Sequence, residues 1–581
     1  MPNRIRRATW LPLVSAIATV GILFAVLWWA DPRVGRLWLN TAMLCCGAAA
    51  IALPLGVVTA VLCFKTDVPG RKVAALMLVG MLFVPLYLVT GAWDAGFGIQ
   101  GWHTLSTNPH LQHEPWLAGW RAAVWVHGLA AVPWVFLIVG AGLRSVEAEI
   151  EEDAATCASP LAVLWHVSLP RVAPAIGVAA LWIATIVVTE ISVTDFFQIR
   201  TFAEEVYTQA ALGSFGYVFG NAPVGPADPI PAIGFWSGLV LSTALAVLVI
   251  SGFIKLFADW SEASNRPPWI WRLRSGRWPA MAILAVCMVL LAGVPLANLA
   301  YKAGIMVTTT DTGRVRSWSA ERLITRVAAA PREFHGELWL STWLSSTVAT
   351  SALILAMPLA WSLRSYSLSL REKAGVRANR APTMLPHPAL SQRERVLKRV
   401  RLQSGKPWLR LFVIAICLTI PGPLLGLGII HLLNRPPDSP LAALAELYDS
   451  NFAPWLVQTL RTLPIATLIL WPALASVPQV MLDTAATDGT GWWGQLFRIA
   501  VPQRWPAIAA AWLVAFAVAI GELAATILVM PPQRGATALS IQVFQLLHYG
   551  VDDRVAAICL VMVFVVAAIT GIAATLVRRR M

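Results

Sequence analysis

Charge is scarce in this 581-residue chain. Asp, Glu, Lys and Arg make up 13% of it, about half the share in a soluble globular domain. With 57% hydrophobic residues and a mean hydropathy of +0.67, the chain is neither a disordered polymer nor an ordinary soluble enzyme. Its apolar surplus needs lipid to cover it. Cysteine is also sparse: seven residues, at 45, 46, 63, 157, 287, 417 and 559, mostly inside apolar runs, with no CxxC pair. That excludes a disulfide framework and a thiolate metal site. No GxxxxGK[ST] is present, since Gly405-Lys406 is followed by proline, so the chain has no phosphate-cradling loop and does not hydrolyse ATP by itself. GxSxG and HExxH are missing too. His110, His113 and Glu114 share one polar loop, but such a scatter reads as solvated side chains, and neither a metal nor a catalytic site is expected.

What the chain has in abundance is long apolar runs. A membrane-crossing helix needs about 20 such residues, and twelve stretches qualify: 10–30, 38–64, 73–92, 122–143, 175–194, 234–257, 278–300, 342–362, 409–431, 455–474, 507–530 and 555–577. The expected fold is an all-α integral membrane protein. Tryptophans 28, 29, 278, 343 and 455 sit at run ends, as in an interfacial belt. With both termini cytoplasmic, most of the 44 Lys and Arg fall in inside segments, as the positive-inside rule requires. The net charge of +14 is then a topology signal, with no nucleic acid implied. The loop 301–341 is the exception, placing six basic residues outside. The Arg-, Pro- and Ser-rich stretch 371–406 has no apolar periodicity and reads as a disordered cytoplasmic insertion.

An internal repeat organises the chain. EEDAATCASPLAVLWHVSLPRVAPAI (151–176) and DTAATDGTGWWGQLFRIAVPQRWPAI (483–508) align at an offset of 332, which pairs Pro170 with Pro502 and, in the next run, Glu190 with Glu522. Upstream, a shift of one residue aligns both Ala-Ala-Thr triplets instead, so the register there is open. Six spans separate the copies, giving two like-oriented six-helix halves, 1–277 and 278–581, each with one cytoplasmic loop (144–173 and 475–505).

Each loop opens on an acidic, alanine-rich helix former containing Glu151 and Ala154 in one copy, Asp483 and Ala485 in the other. Ser159-Pro160 supplies an N-cap and an N1 proline for a second short helix. Its i, i+3, i+4 face carries Leu161, Leu164 and Trp165, and the other copy carries Trp493, Leu496 and Phe497. Pro170 and Pro502 are expected to end these helices before the next span. A short helix with an apolar ridge suits a partner's groove.

This pattern of acid, alanines, glycine and a closing Leu-Pro or Val-Pro resembles the cytoplasmic motif of ATP-binding-cassette importer permeases. Asp483, Ala485, Gly489 and Pro502 match it; in the first copy Glu151 and Pro170 match, while Cys157 stands at the usual glycine. If that turn needs φ > 0, the two turns differ in geometry. GELAATILVMPP (521–532) with FQLLHYGVDDRVAA (544–557), and TEISVTDFF (189–197) with TFAEEVYTQ (201–209), are similar to fused ferric-iron-type permeases. The resemblance implies two copies of a cytoplasmic ATPase seated on the loops, with ATP and Mg on that partner and no cofactor on this chain. It further implies an extracytoplasmic substrate-binding protein, a plasma (inner) membrane location and iron(III) as cargo. Thiamine, phosphonate, a polyamine or an oxyanion are the alternative cargoes, and a secondary transporter is the alternative class.

Glu190 and Glu522 are the remaining candidates. A carboxylate late in an apolar run faces either a solute pathway or a partner such as Thr194 or Thr526.

Overall fold

The computed structural model describes residues 31–107, 114–213, 230–262, 269–310, 313–378, 407–531 and 537–578. The expected span at 10–30, His110 and His113, and 379–406 of the expected insertion lie outside the described residues. The first eight residues of that insertion, 371–378, continue a helix.

Among the described residues nine helices are long and apolar enough to cross a membrane, and two bent helix pairs bring the number to as many as eleven. In chain order the elements are α1 (Pro32–Lys65), α2 (Arg71–Met81), α3 (Leu86–Phe97), α4 (Gly119–Arg144), α5 (Ala148–Cys157), α6 (Pro160–Thr189), α7 (Ser192–Phe196), α8 (Phe202–Ala211), α9 (Ile230–Glu262) and α10 (Arg274–Gly304). A hairpin, β1 (Ile305–Thr310) and β2 (Gly313–Trp318), and α11 (Ala320–Glu333) follow. The chain continues through α12 (His335–Ala378), α13 (Pro407–Thr419), α14 (Gly422–Leu433), α15 (Phe452–Ala475), α16 (Gln479–Thr487), α17 (Trp492–Gly521), α18 (Thr526–Val529), α19 (Leu539–His548) and α20 (Asp553–Arg578). The chain is a multi-pass, almost wholly helical membrane protein.

Equivalent helices pack alike. α1 lies along α4 as α12 lies along α15, and α4 packs on α6 as α15 packs on α17. The bent pairs follow α1 and α12 respectively, α2–α3 turning by 107° and α13–α14 by 106°. Each break falls just before an extended proline, Pro85 (φ −58°, ψ 143°) and Pro421 (φ −51°, ψ 136°), whose missing N–H and fixed φ suit the start of the second arm. After the bend each arm enters the other repeat's core. Tyr87, Leu88 and Ala92 of α3 pack with Leu539, Phe544 and Val555, while Leu424 and Leu427 of α14 pack with Val34, Trp38 and Phe202. The two arms thus tie sequence-distant parts of the chain together.

The basic loop 301–341 is folded. β1 and β2 pair antiparallel from Ile305–Trp318 to Thr310–Gly313, and Ser319 caps α11. Arg322 and Arg326 of α11 bond Asp553 at 2.7 and 2.9 Å, and Arg554 bonds Glu333 at 2.9 Å. Two of the loop's six basic residues, Arg322 and Arg326, are thus paired with acids.

Candidate functional site: two matched loops and two capped breaks

The first loop is α5 and the start of α6. The N-terminal flank (Ser145, Val146, Glu147) and that of α16 (Ser476, Val477, Pro478) correspond at an offset of 331, whereas the following helices start at Pro160 and Trp492, an offset of 332. The open register is thereby settled: the second loop holds one extra residue in its turn. Along the first helix Glu151 corresponds to Leu482 and Glu152 to Asp483; α5 runs through Cys157 while α16 stops at Thr487, so the step in register falls in the turn that holds Ala158 and Gly489.

That shift changes the physics of each loop. Glu151 and Leu482 are the inward positions of their helices, and both are buried. Glu151 Oε2 accepts from Lys65 Nζ at 2.6 Å, with both side chains fully buried, and its Oε1 accepts from Ser168 Oγ at 2.7 Å. The first loop is therefore pinned to the end of α1 by a saturated ion pair. Leu482 instead joins a core with Leu474, Val477 and Leu496. Arg364 and Arg504 donate to the backbone oxygens of Val477 and Ser476 at 2.8 and 2.9 Å, steadying the second loop through main chain. Asp483 is exposed and accepts from Gln479 Nε2 at 2.7 Å. Ala154 and Ala485 are half-buried.

The turns differ as well. Gly489 has φ +81° and sits in a Schellman turn, its N–H donating to Ala486 O and that of Thr490 to Ala485 O. Ala158 is extended (φ −139°, ψ 155°), so the first loop needs no glycine there. Ser159 caps the next helix, its Oγ accepting from Ala162 N at 3.3 Å, with Pro160 at N1.

Pro170 and Pro502 do not end their helices. Both lie in continuous helices that run from the loop into the span, Pro160–Thr189 and Trp492–Gly521. One π-helical turn, Leu164–Ser168 or Gln495–Ala500, precedes each proline. Widening the turn to i→i+5 bonding accommodates a residue that has no N–H to give.

Not all of the expected ridge is free. Leu161 and Trp165 are exposed (63% and 62%), as are Trp493 and Phe497 (58% and 50%), whose rings stack at 5.8 Å. Trp492, one residue before the i, i+3, i+4 face, adds an exposed ring 4.5 Å edge-on to Trp493. Leu164 is half-buried against the first core, and Leu496 is fully buried in the second. The i+3 position is thus the anchor that holds the ridge.

Glu190 and Glu522 are not inside helices. Each is the first residue after its span, where α6 and α17 stop. Glu190 accepts from the backbone N–H of Ser192 and Val193 at 2.7 and 3.1 Å, and from Ser192 Oγ. Glu522 accepts from the N–H of Ala525 and Thr526, both at 3.0 Å, and from Thr526 Oγ1. The carboxylates thus satisfy the free donors opening α7 and α18, a favourable place for negative charge. The facing spans supply matched partners: His127 Nε2 lies 3.6 Å from Glu190 Oε2, and Gln458 donates to Thr526 Oγ1 at 3.1 Å. Ser192, not Thr194, serves Glu190; the Thr194 hydroxyl donates to Ile191 O. Ile191, Ala203 and Tyr207 pack with Ala524 and Ile527, so the segments after the two caps meet. His127, within an apolar run, was the visible sign of this arrangement.

Among the described residues no three His, Cys, Asp or Glu side chains converge as metal ligands, and Glu114 lies exposed 3.7 Å from Arg121. No curated protein matches the chain. Residues 404–581, from the start of α13 to the last helix and including the second loop, match the family of binding-protein-dependent transport system inner membrane components. That match supports an importer permease component of the ATP-binding-cassette type.

Proposed function

We propose that the whole chain is the transmembrane subunit of such an importer, with both permease halves, 1–277 and 278–581, in one polypeptide. The observation that carries this reading is the repetition of the loop. Outside the family match, 144–173 has the same two-helix plan, the same π-turn before a proline and the same exposed ridge as 475–505. Leu161 and Trp165 would seat one copy of a cytoplasmic ATPase, and Trp492, Trp493 and Phe497 a second, with ATP and Mg on those partners. The loops then face the cytoplasm of a plasma (inner) membrane, the termini lie on the same side, and a substrate-binding protein delivers solute to the opposite face. Iron(III) is the cargo that the sequence resemblance favours; thiamine, phosphonate, a polyamine or an oxyanion are the alternatives.

Glu190 and Glu522 serve this function by holding the breaks beside the meeting point of the halves. Their lone pairs are engaged by backbone donors, which supports a positioning role rather than direct contact with solute.

Co-expression with a cognate ATPase tests the reading. The wild-type chain should co-purify with it at a 2:1 ratio of ATPase to permease, and Trp165→Asp with Phe497→Asp should remove it while leaving a folded membrane protein. Failure of any ATPase to bind the wild-type chain would overturn the proposal.

A further inference from the structure

Beyond the caps, an acid–histidine pair joins the two halves beside the seam where they meet. Asp195, in α7 just after the Glu190 break, places Oδ2 3.2 Å from Nε2 of His548, the last residue of α19. The other ring nitrogen of His548 lies 2.9 Å from its own helix's Phe544 O. Both nitrogens thus face acceptors without a proton to give, and only the imidazolium can donate to both. Phe196 and Phe544 flank the ring at 5.6 and 4.7 Å, so the contact is sheltered on its sides yet part-exposed at its mouth. Beside it lies the apolar seam of Ile191, Ala203, Tyr207, Ala524 and Ile527, which closes the space between the halves. The repeat does not require this pair. α8 and α19 correspond from Phe202 and Leu539, which sets Ala211 opposite His548, and Ile527 stands 332 residues after Asp195.

We propose that Asp195 and His548 form a latch that holds the seam shut, and that separation of the halves at this point requires the pair to break. The inference rests on the two-half permease reading. It adds a positioning pair to that reading and a sense for its pH dependence. Asp195 raises the pKa of His548 above its ordinary value of 6.5, the side-chain hydrogen bond being the largest cause and burial opposing it. The latch is therefore fully formed below 6.5 and is lost as pH rises through the raised value. The neighbouring groups that titrate or carry charge are Glu204, Glu205 and Tyr207 of α8, and Arg200; Glu205 is already bonded to Arg33 and Arg200 at 2.7 and 3.2 Å.

The test uses the purified full chain carrying Ala524→Cys, a buried seam position, with the naturally exposed Cys157 as internal reference. Maleimide labelling of each site is read by peptide mass spectrometry at pH 6, so no ATPase or cargo is needed and failure of the transport reading would not affect the outcome. Asp195→Asn and His548→Gln should each raise seam labelling relative to Cys157 at least threefold, and the exchanged pair Asp195→His with His548→Asp should return it to the parent value. The parent ratio should climb between pH 6 and 9, and the Asp195→Asn ratio should stay flat. Should a single variant lose its native melting transition, the parent's pH series decides alone. A ratio unchanged by either single substitution, an exchanged pair that labels like the singles, or a parent ratio flat with pH would each overturn the latch.

Discussion

The two loops share a plan and differ in what anchors them. The first is fixed by charge: Lys65 and Glu151 meet with no exposure to solvent and Ser168 completes the carboxylate. At the same helical position the second has Leu482 in an apolar core, and its turn closes through a left-handed glycine. One inward position can thus hold a loop by either route, but the routes fail differently. A leucine loses packing area when shortened, whereas half of a buried ion pair leaves an uncompensated charge.

The largest expected effect follows from that difference. Glu151→Ala should destabilise the protein by about 3–5 kcal/mol, because Lys65 keeps its burial and loses its partner. Converting the first loop to the second loop's chemistry, Lys65→Met with Glu151→Leu, should recover most of the loss. Thermal unfolding in detergent measures both, and a double variant no better than the single would break the comparison.

Next in size is the ridge anchor. Leu496→Ala removes a fully buried side chain and should cost about 2–5 kcal/mol, while Phe497→Ala, half exposed one residue along, should barely move the melting temperature and should weaken ATPase association. Equal melting temperatures for the two variants would mean that the burial difference between these neighbours has no energetic meaning.

Gly489→Ala should cost about 1–2 kcal/mol, since it places a Cβ at φ +81°. Ala158→Gly at the extended counterpart relieves no strain and should gain nothing. If Gly489→Ala were silent, the turns would be equivalent after all. The smallest effect belongs to the cap: Ser159→Ala should cost about 1 kcal/mol and fray the start of α6, read as faster amide exchange at Leu161 and Ala162.

Much of this was legible in the chain. Eleven of the twelve expected spans coincide with described helices or bent pairs, because a run of about 20 apolar residues in lipid has little choice but to satisfy its backbone within a helix. The loops, their repetition and the Ser159 cap were legible for the same reason: they rest on neighbours in sequence. Other features were not. Nothing in the sequence around Lys65 points to Glu151, and only packing brings the two together across 86 residues. The loop register needed the helix starts at Pro160 and Trp492, since an alignment of short alanine-rich words tolerates a slip of one residue.

The sequence by itself determined the membrane class, the number and rough place of most helices, and the twofold repeat, all of which follow from local apolarity and periodicity. Tertiary structure alone decided where those helices stop and what they exchange. Pro170 and Pro502 stay inside helices because a π-turn absorbs them, while Glu190 and Glu522 end helices because the next short helix offers unpaired N–H groups. The bent arms cross into each other's cores, and Asp195 finds His548 353 positions away. Such contacts depend on which distant groups burial brings within about 3 Å, and no spacing along the chain encodes that distance.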